Sequence, residues 1–362
     1  FFFELFWFAY VMTKIEEKPF DLCDGVTIAK PLGIGTMQWG TTWLDNKLNK
    51  GGNLPDCVID DIVDTVLQSG VQFFDTAEGY GGGSSEVRVR DQVLPKAHVN
   101  NVVVATKFLP TLWRWTQGSF LHAVRESNAR LGVDICDLYF IHTPVHPLPL
   151  EFWIRAACVA VDLKLIKAIG ISNCKASQVE RAHAEACKHG KRIVANQILF
   201  NLLDYNSEEL RITDDTCRKL GIRIVAYSPI GQGLLTENLT EEKFKGIRLG
   251  TMMGIKWNDS NKLFALRNKI SEIAMDEGKT MAQVCLNWTI CHNAIPLVGT
   301  RSKAQASNSV GCLGWRLTES QVADLDRHAL ARSTLGKPRW RRLIFVVAIS
   351  MLVLTYRLTS FL

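Results

Sequence analysis

Short apolar segments alternate with longer amphipathic segments along most of this chain. From residue 20 onwards, eight short apolar runs are each followed by a stretch in which apolar residues recur at helical spacing. The predicted strands cover residues 31–37, 71–74, 102–105, 138–141, 166–171, 194–198, 223–226 and 294–298. Residues 20–28 precede the first of them and predict a β-hairpin. Eight such repeats predict an α/β fold, a (β/α)8 TIM barrel with an N-terminal β-hairpin.

A doubly wound open sheet is the alternative interpretation of the same alternation. It is less favoured, because no GxGxxG motif follows the first predicted strand. The longest predicted loop, residues 231–258, follows the seventh strand. Loops of that length often act as lids or binding segments.

Both ends of the chain differ from the repeating part. Residues 1–19 form an aromatic N-terminal extension without the basic segment or cleavage site of a signal peptide. Residues 331–362 form a C-terminal tail that is first basic and then apolar, with residues 343–356 apolar except for Ser350 and Thr355. A spanning helix needs about 20 apolar residues. The tail predicts membrane contact through residues 343–362; a buried or interfacial helix and non-native sequence are the alternatives.

Composition narrows the class of protein. The chain has 362 residues, of which 47% are hydrophobic and 22% are charged, with a net charge of +6. This modest charge, without a Lys/Arg block, gives no case for a nucleic-acid partner. The ten cysteines are scattered and have no zinc-site spacing, so we predict no metal. Free thiols indicate a reducing, intracellular compartment.

Ionisable side chains end three consecutive predicted strands. Asp75 follows the strand 71–74, with Tyr80 in the Gly-rich loop after it, while Lys107 and His142 follow the next two strands. Because the carboxyl ends of parallel strands meet at one end of a barrel, we expect these side chains to lie together. Each residue alone is also compatible with an ordinary strand end or a core histidine. Their occurrence on consecutive strands favours one site.

These four groups suit proton transfer to a carbonyl oxygen. A phenol has a pKa of about 10, so it keeps its proton at neutral pH. We expect the ammonium of Lys107 to lower that pKa and Asp75 to keep Lys107 charged. His142 could donate a hydrogen bond to the carbonyl oxygen. Since no side chain supplies a hydride, reduction at this site requires a nicotinamide cofactor.

The chain resembles the aldo-keto reductases over residues 20–330. The motifs that carry the resemblance are F-D-T-A at 74–77 with Tyr80, A-T-K at 105–107, D-L-Y-F-I-H at 137–142, G-I-S-N at 170–173, and Y-S-P at 227–229 with Gly231 and Gly233. The segments G-T-M-Q-W-G at 35–40 and L-G-W-R-L-T at 313–318 are most similar to plant plastid members. The resemblance implies a catalytic tetrad of Asp75, Tyr80, Lys107 and His142, with Tyr80 as general acid.

The resemblance also implies an NADPH site that does not use a Rossmann fold. The implied cofactor-binding residues are Thr36, Met37, Ser172, Asn173, Gln197, Tyr227, Ser228, Pro229, Gly231, Gly233, Arg301, Ser302, Gln305 and Asn308. Among them, Tyr227 would stack on the nicotinamide and Arg301 would meet the adenosine 2′-phosphate, which a guanidinium can grip bidentately. Several residues depart from the family pattern; among them, Asn308 stands where a Glu usually meets the adenine, and Lys164 replaces a Gly.

Three tryptophans are candidate walls of a substrate pocket: Trp39, Trp113 and Trp115. Core or rim packing is the alternative for each of them. An aromatic-lined pocket would favour apolar or aromatic carbonyl compounds over sugars.

The predicted function is NADPH-dependent reduction of aldehydes or ketones to alcohols, with a small-molecule carbonyl substrate as partner. The alternative is a regulatory or redox-sensing subunit that binds the cofactor with little turnover. The resemblance to plastid members and the free thiols together predict a location in the plastid or the cytoplasm.

Overall fold

An antiparallel hairpin and eight parallel strands form the centre of the molecule. The structure is a computed structural model that describes residues 17–23, 25–40, 54–97, 101–240 and 260–331. The hairpin consists of β1 (Phe20–Cys23) and β2 (Val26–Ile28), and the other strands are β3 (Gly33–Gly35), β4 (Phe73–Asp75), β5 (Val103–Phe108), β6 (Cys136–Ile141), β7 (Ile166–Ser172), β8 (Ile193–Leu199), β9 (Arg223–Tyr227) and β10 (Ile295–Gly299).

The strands β3 to β10 close into a barrel. Each is paired in parallel with its neighbour in chain order, and β10 pairs with both β9 and β3. The predicted (β/α)8 TIM barrel with its N-terminal hairpin is therefore confirmed, and an open doubly wound sheet is excluded.

Helices surround the barrel and connect its strands. They are α1 (Asp56–Gln68), α2 (Ser84–Gln92), α3 (Gln117–Leu131), α4 (Leu150–Asp162), α5 (Ala176–Lys188), α6 (Glu208–Lys219), α7 (Ser260–Asp276), α8 (Met281–Cys291), α9 (Lys303–Val310) and α10 (Glu319–His328). Threonines Thr116, Thr280 and Thr318 begin α3, α8 and α10, and each side chain accepts the backbone N–H three residues later. Such caps fix where a helix begins, because the first N–H groups have no partner within the helix.

The alternation of side chains along the strands decides what enters the barrel. The inner faces contribute Phe73 of β4, Ala105 of β5 and Phe140 of β6 to one buried cluster, which also contains Leu22 and Val26 of the hairpin. The hairpin thus packs against the barrel interior. Because of the same alternation, the next inward-facing position on each of these strands lies at its carboxyl end. These positions carry the functional residues described below.

The backbone favours glycine at two positions, of which Gly170 has it and Lys164 does not. The ring of Phe140 occupies the space that a Cβ atom on Gly170 would take, so the strand-to-strand packing requires glycine. Lys164 has a φ of +54° in the turn between α4 and β7. This left-handed conformation favours glycine, which the resemblance also leads us to expect at this position.

Some predicted segments lie outside the described residues. These are most of the aromatic extension 1–19, residues 241–258 of the long loop and nearly all of the tail 331–362, so their predicted roles in binding and membrane contact stay predictions. Across the part of the chain that the structure describes, no helix combines the length and the hydrophobicity needed to cross a bilayer.

Candidate active site

The ammonium of Lys107 lies at the centre of the site. Its side chain is fully buried, and Nζ is paired with Oδ2 of Asp75. Nζ also donates to the backbone oxygen of Thr76 at 2.7 Å and to the phenol oxygen of Tyr80 at 3.2 Å. An ammonium has three N–H donors, and these contacts use all three. Lys107 is therefore fixed between a carboxylate and a phenol, as the strand-end pattern predicts.

Tyr80 and His142 face each other across the same space. Their ring centroids are 5.9 Å apart with an interplanar angle of 82°. Because the phenol oxygen accepts from Lys107, its own hydrogen is available for a different acceptor. Three glycines with positive φ, Gly81 to Gly83, follow Tyr80 and turn the chain into α2. The structure thus brings together Asp75, Tyr80, Lys107 and His142.

The pKa values of these groups follow from burial and from the charge of Lys107. Burial raises the pKa of the Tyr80 phenol, and the nearby ammonium opposes this only in part. The expectation of a lowered phenol pKa is therefore wrong in its net direction, since desolvation disfavours the tyrosinate more than Lys107 favours it. Burial works against the charge of Lys107, but Asp75 and Tyr80 raise its pKa, so it remains an ammonium.

His142 is uncharged at neutral pH. Burial, reinforced by the positive charge of Lys107, lowers the pKa of His142 to about 3. Its Nδ1 atom is buried without a hydrogen-bond partner in the described part of the chain. A neutral imidazole carries one N–H, so His142 can donate one hydrogen bond to a bound oxygen atom.

We expect His142 to make the fold less stable in acid. Its pKa is about 3 in the folded protein against an ordinary value of 6.5, so the unfolded chain binds a proton that the folded protein does not. This contribution is complete above the ordinary pKa and is lost as the pH falls towards the folded value, at up to about 1.4 kcal/mol per pH unit. Urea unfolding between pH 7 and pH 5 should show a steeper loss in the wild type than in His142→Gln. Equal slopes would contradict this assignment.

A buried group of hydroxyls holds the backbone beside Asp75. Thr36 Oγ1 donates to the backbone oxygen of Asp75 at 3.0 Å and lies 2.7 Å from Ser85 Oγ. Thr76 Oγ1 donates to the same Ser85 oxygen at 2.9 Å. Thr36 was expected to bind the cofactor, but its hydroxyl is fully buried and occupied by these bonds. Its role in this structure is to hold the end of β4.

The residues expected at the nicotinamide lie at the carboxyl ends of β7, β8 and β9. Ser172 Oγ donates to the backbone oxygen of Gln197 at 2.8 Å, and Gln197 Nε2 donates to Asp75 Oδ1 at 2.7 Å. The Tyr227 hydroxyl donates to Asn173 Oδ1 at 2.9 Å, and Asn173 Nδ2 donates to the backbone oxygen of His142 at 3.0 Å. Gln197 and Asn173 therefore contact tetrad residues directly, and Ser172 and Tyr227 are connected to the tetrad through them.

The loop after β9 has an unusual backbone. Ser228, Gly231, Gln232 and Gly233 all have positive φ values, between 52° and 91°. The N–H groups of Gly231 and Gly233 donate to the backbone oxygens of Ser228 and Ile230 at 2.9 and 3.1 Å, so these bonds hold the loop in a tight turn. Pro229, within the same loop, is buried.

The residues expected at the adenosine phosphate lie at the start of α9. The Arg301 side chain is exposed, and its backbone N–H donates to Gln305 Oε1 at 2.8 Å. Ser302 caps the helix by accepting from the Gln305 backbone N–H at 3.3 Å. Beside them, Thr300 Oγ1 and Gln38 Oε1 are buried without partners among the described residues. An exposed guanidinium and a buried Thr300 hydroxyl without a partner, at a helix start, fit a phosphate-bearing ligand, whereas the Gln38 oxygen can only accept a hydrogen bond.

Asn308 is occupied by bonds within the fold. Its Oδ1 accepts from Thr280 Oγ1 at 3.0 Å and from Gln283 Nε2 at 3.1 Å. These contacts fasten α9 to the start of α8. The resemblance places an adenine contact at this position, but the Asn308 Oδ1 atom is already hydrogen-bonded within the protein.

The three tryptophans have different environments. Trp39 was expected in the pocket wall, but it is completely buried and packs against Phe74 in the core outside the barrel. Trp113 and Trp115 are 41% and 50% exposed in the loop after β5. Met37, expected at the cofactor, is 59% exposed at the end of β3. Of these four residues, Met37, Trp113 and Trp115 are accessible to a ligand, and Trp39 is not.

Sequence reasoning missed several residues that organise the site. Glu78, two residues before Tyr80, forms a paired contact with Arg114. Ser85 joins Thr36 and Thr76, and the buried Glu86 accepts from Thr106 at 2.6 Å. These contacts join different loops and helices, so no spacing within the sequence signals them. The position of Glu78 beside Tyr80 is the one hint available.

The fold and this constellation define a class of enzyme, and comparison with known proteins shows which one. The profile of the aldo/keto reductase family matches residues 31–330. The chain belongs to the aldo/keto reductase family, and it is an oxidoreductase. The chloroplastic pyridoxal reductase of Arabidopsis thaliana is 34% identical over 322 residues, which cover 83% of this chain and 84% of that protein.

Solved structures agree on the fold. A glycerol dehydrogenase from Gluconobacter oxydans superposes with a TM-score of 0.72 at 23% identity, over 86% of this chain and 94% of that one. The aldo-keto reductase of Bombyx mori, solved in complex with NADP, superposes with a TM-score of 0.67 at 21% identity, over 89% and 95% of the two chains. The family match and the relative from Arabidopsis confirm the resemblance that the sequence motifs indicate, and the solved structures confirm the fold.

Proposed function

We propose that this protein reduces aldehydes or ketones to alcohols with NADPH, and that Tyr80 is the general acid. The observation that carries the proposal is the arrangement of Lys107, whose ammonium is bonded to Asp75, the Thr76 carbonyl and the Tyr80 oxygen. NADPH, when bound, supplies the hydride for the carbonyl carbon. Ser172, Asn173, Gln197 and Tyr227 would hold its nicotinamide end, and Arg301 with Ser302 would hold its phosphate end.

The protein's own residues account for the proton. Tyr80 stays protonated before reaction, because burial raises its pKa. As negative charge develops on the carbonyl oxygen, that oxygen becomes a far stronger base than a phenolate, and Tyr80 donates its proton to it. The ammonium of Lys107 then stabilises the tyrosinate that is left. Neutral His142 donates a hydrogen bond to the same carbonyl oxygen and so stabilises its charge in the transition state.

The substrate class follows from the exposed aromatic residues near the site. Trp113 and Trp115 lie in the loop directly after the strand that carries Lys107. Planar apolar or aromatic carbonyl compounds would bury more apolar surface against such rings than sugars, whose hydroxyls would have to be desolvated. Pyridoxal is one aromatic aldehyde to test, since the relative from Arabidopsis is named for reducing it. The same relative supports a location in the plastid.

The decisive experiment is steady-state oxidation of NADPH, and separately of NADH, with pyridoxal, benzaldehyde, propanal and an aldose. We expect turnover with NADPH and a higher kcat/KM for the aromatic aldehydes. Tight NADPH binding with no turnover across the panel would overturn the proposal in favour of a regulatory or redox-sensing subunit. A crystal soak that places substrate away from both Trp113 and Trp115 would refute the proposed substrate class.

We further propose that residues 20–330 are the complete catalytic unit. Chains with and without residues 331–362 should then give the same kcat/KM in this assay. A vesicle-sedimentation comparison of the two chains tests membrane contact through residues 343–362.

A further inference from the structure

An ion pair lies beside the tetrad without taking part in it. Glu78 Oε1 lies 2.5 Å from Arg114 Nη1, and Glu78 Oε2 lies 2.8 Å from Arg114 Nη2. The two side chains are only 10% and 13% exposed. Two parallel bonds in a largely desolvated place form a strong and directional contact, because the guanidinium and carboxylate planes match.

This pair joins two loops of the barrel mouth. Glu78 belongs to the segment between β4 and Tyr80, and Arg114 belongs to the loop after β5. The same Glu78 oxygen accepts the Leu109 backbone N–H at 2.5 Å, while Arg114 Nη1 donates to the Leu109 backbone oxygen at 2.8 Å. Both ends of residues 109–114 are thus fastened to the segment that carries Tyr80.

The loop after β6 is bonded to the loop after β5. His146 lies four residues after His142, and its Nε2 is 3.2 Å from the backbone oxygen of Thr111. The His146 ring also contacts the Trp115 ring, with centroids 5.2 Å apart. The loops after β4, β5 and β6 therefore hold one another, and each follows a strand that supplies a tetrad residue.

The bonds between these loops hold two exposed aromatic side chains in place. Trp113 and Trp115 flank Arg114 in the sequence, and they are 41% and 50% exposed whereas Arg114 is nearly buried. Trp115 is fixed further, because its Nε1 donates to the Leu112 backbone oxygen at 2.5 Å. Large aromatic side chains left exposed on the loop that follows the strand carrying Lys107 are suited to ligand contact.

We propose that Arg114, held by Glu78, is a positioning residue that fixes Trp113 and Trp115 as a wall for planar aromatic substrates. The proposal rests on the proposed function of the same site and adds a determinant of specificity to it. The Arg114 side chain bonds to Glu78 and to the Leu109 backbone oxygen and lies over the Phe108 ring. It therefore acts through the tryptophans and leaves the proton-transfer groups in place. Its removal should therefore weaken aromatic substrate binding and spare the chemical step.

The test compares Arg114→Lys and Glu78→Gln with the wild type on benzaldehyde and propanal. Lysine keeps the charge but cannot make two parallel bonds. We expect KM for benzaldehyde to rise about tenfold, kcat to stay within about twofold, and KM for propanal to change little, as misplacement of a substrate wall predicts. Arg155→Lys, which alters the Arg155–Glu185 pair on α4 and α5, is the matched control and should change neither substrate.

Hydrogen exchange in the ligand-free protein gives a readout that does not depend on turnover. The Leu109 amide should exchange faster in Arg114→Lys than in the wild type, and the rate should be unchanged in Arg155→Lys. Unchanged exchange, or an equal change of KM for both aldehydes, would overturn the positioning role. A fall in kcat at constant KM would overturn it too, since it would place Arg114 in the chemical step.

The two proposals fail differently. Absence of turnover in the wild type would overturn the proposed function. The positioning role would then be decided by quenching of tryptophan fluorescence with benzyl alcohol, which should weaken in Arg114→Lys and remain unchanged in Arg155→Lys. Equal quenching in all three proteins would overturn it.

Discussion

Replacing Tyr80 by phenylalanine should lower kcat for aldehyde reduction by about 10²- to 10⁴-fold, which is the usual contribution of a positioned general acid. The change removes only the hydroxyl, so the ring contact with His142 stays possible. None of the residues proposed to hold NADPH is altered, and its dissociation constant should stay within about twofold. The measurements are loss of NADPH absorbance during turnover and a titration of NADPH by fluorescence.

Tyr205→Phe is the matched control for this variant. The Tyr205 hydroxyl lies 3.1 Å from His292 Nδ1, in a cluster with Trp288 and Phe200 that belongs to the outer core. Like Tyr80→Phe, the Tyr205→Phe variant loses one hydrogen-bonded hydroxyl from a partly buried ring. Any general cost of this substitution should therefore appear in both variants. Turnover of Tyr80→Phe within tenfold of that of Tyr205→Phe would show that another group donates the proton.

The barrel could be predicted from sequence because its elements are specified locally. Apolar strand runs and amphipathic helices repeat along the chain, and a parallel sheet of eight such units has few ways to bury both faces. The tetrad could be predicted for the same reason. Alternation along β4 and β5 sends Asp75 and Lys107 inwards, and closure of the barrel brings their ends together.

The features that could not be predicted from the sequence depend on contacts between distant segments. Trp39 lies in a motif near the site, yet its ring packs outside the barrel against Phe74, because the turn that follows β3 and not proximity in sequence decides its direction. Glu78 and Arg114 meet through two loops whose paths no periodicity specifies. The net direction of the Tyr80 pKa shift could not be predicted, because it depends on how burial compares with the charge of Lys107, and burial is a property of the fold.

The pair formed by Asp75 and Lys107 should be the most costly single interaction to break. Both side chains are at most 1% exposed. Lys107→Met would leave the Asp75 carboxylate buried without its cation, and we expect a loss of about 3–5 kcal/mol in the free energy of unfolding. Asp75→Asn should be costly for the converse reason, since it leaves a buried ammonium without its carboxylate.

The double variant Asp75→Asn with Lys107→Met should recover most of that loss. A buried ion pair pays a large desolvation penalty, so replacing both partners with neutral groups is often nearly neutral for stability even though losing one is not. Urea unfolding of the wild type, both single variants and the double variant gives the coupling free energy directly. Turnover should be lost in all three variants, because each lacks the cation or the group that holds it.

The pH dependence of Lys107→Met separates this explanation from a simple packing defect. Burial already raises the pKa of Asp75 while Lys107 opposes the rise. Without Lys107, the folded pKa of Asp75 should lie further above its unfolded value. Stability of the variant relative to the wild type is then greatest at low pH, where the carboxyl is neutral, and is lost as the pH rises through the folded pKa. A destabilisation equal at pH 5 and pH 8 would show that a cavity, and not an unpaired charge, causes the loss.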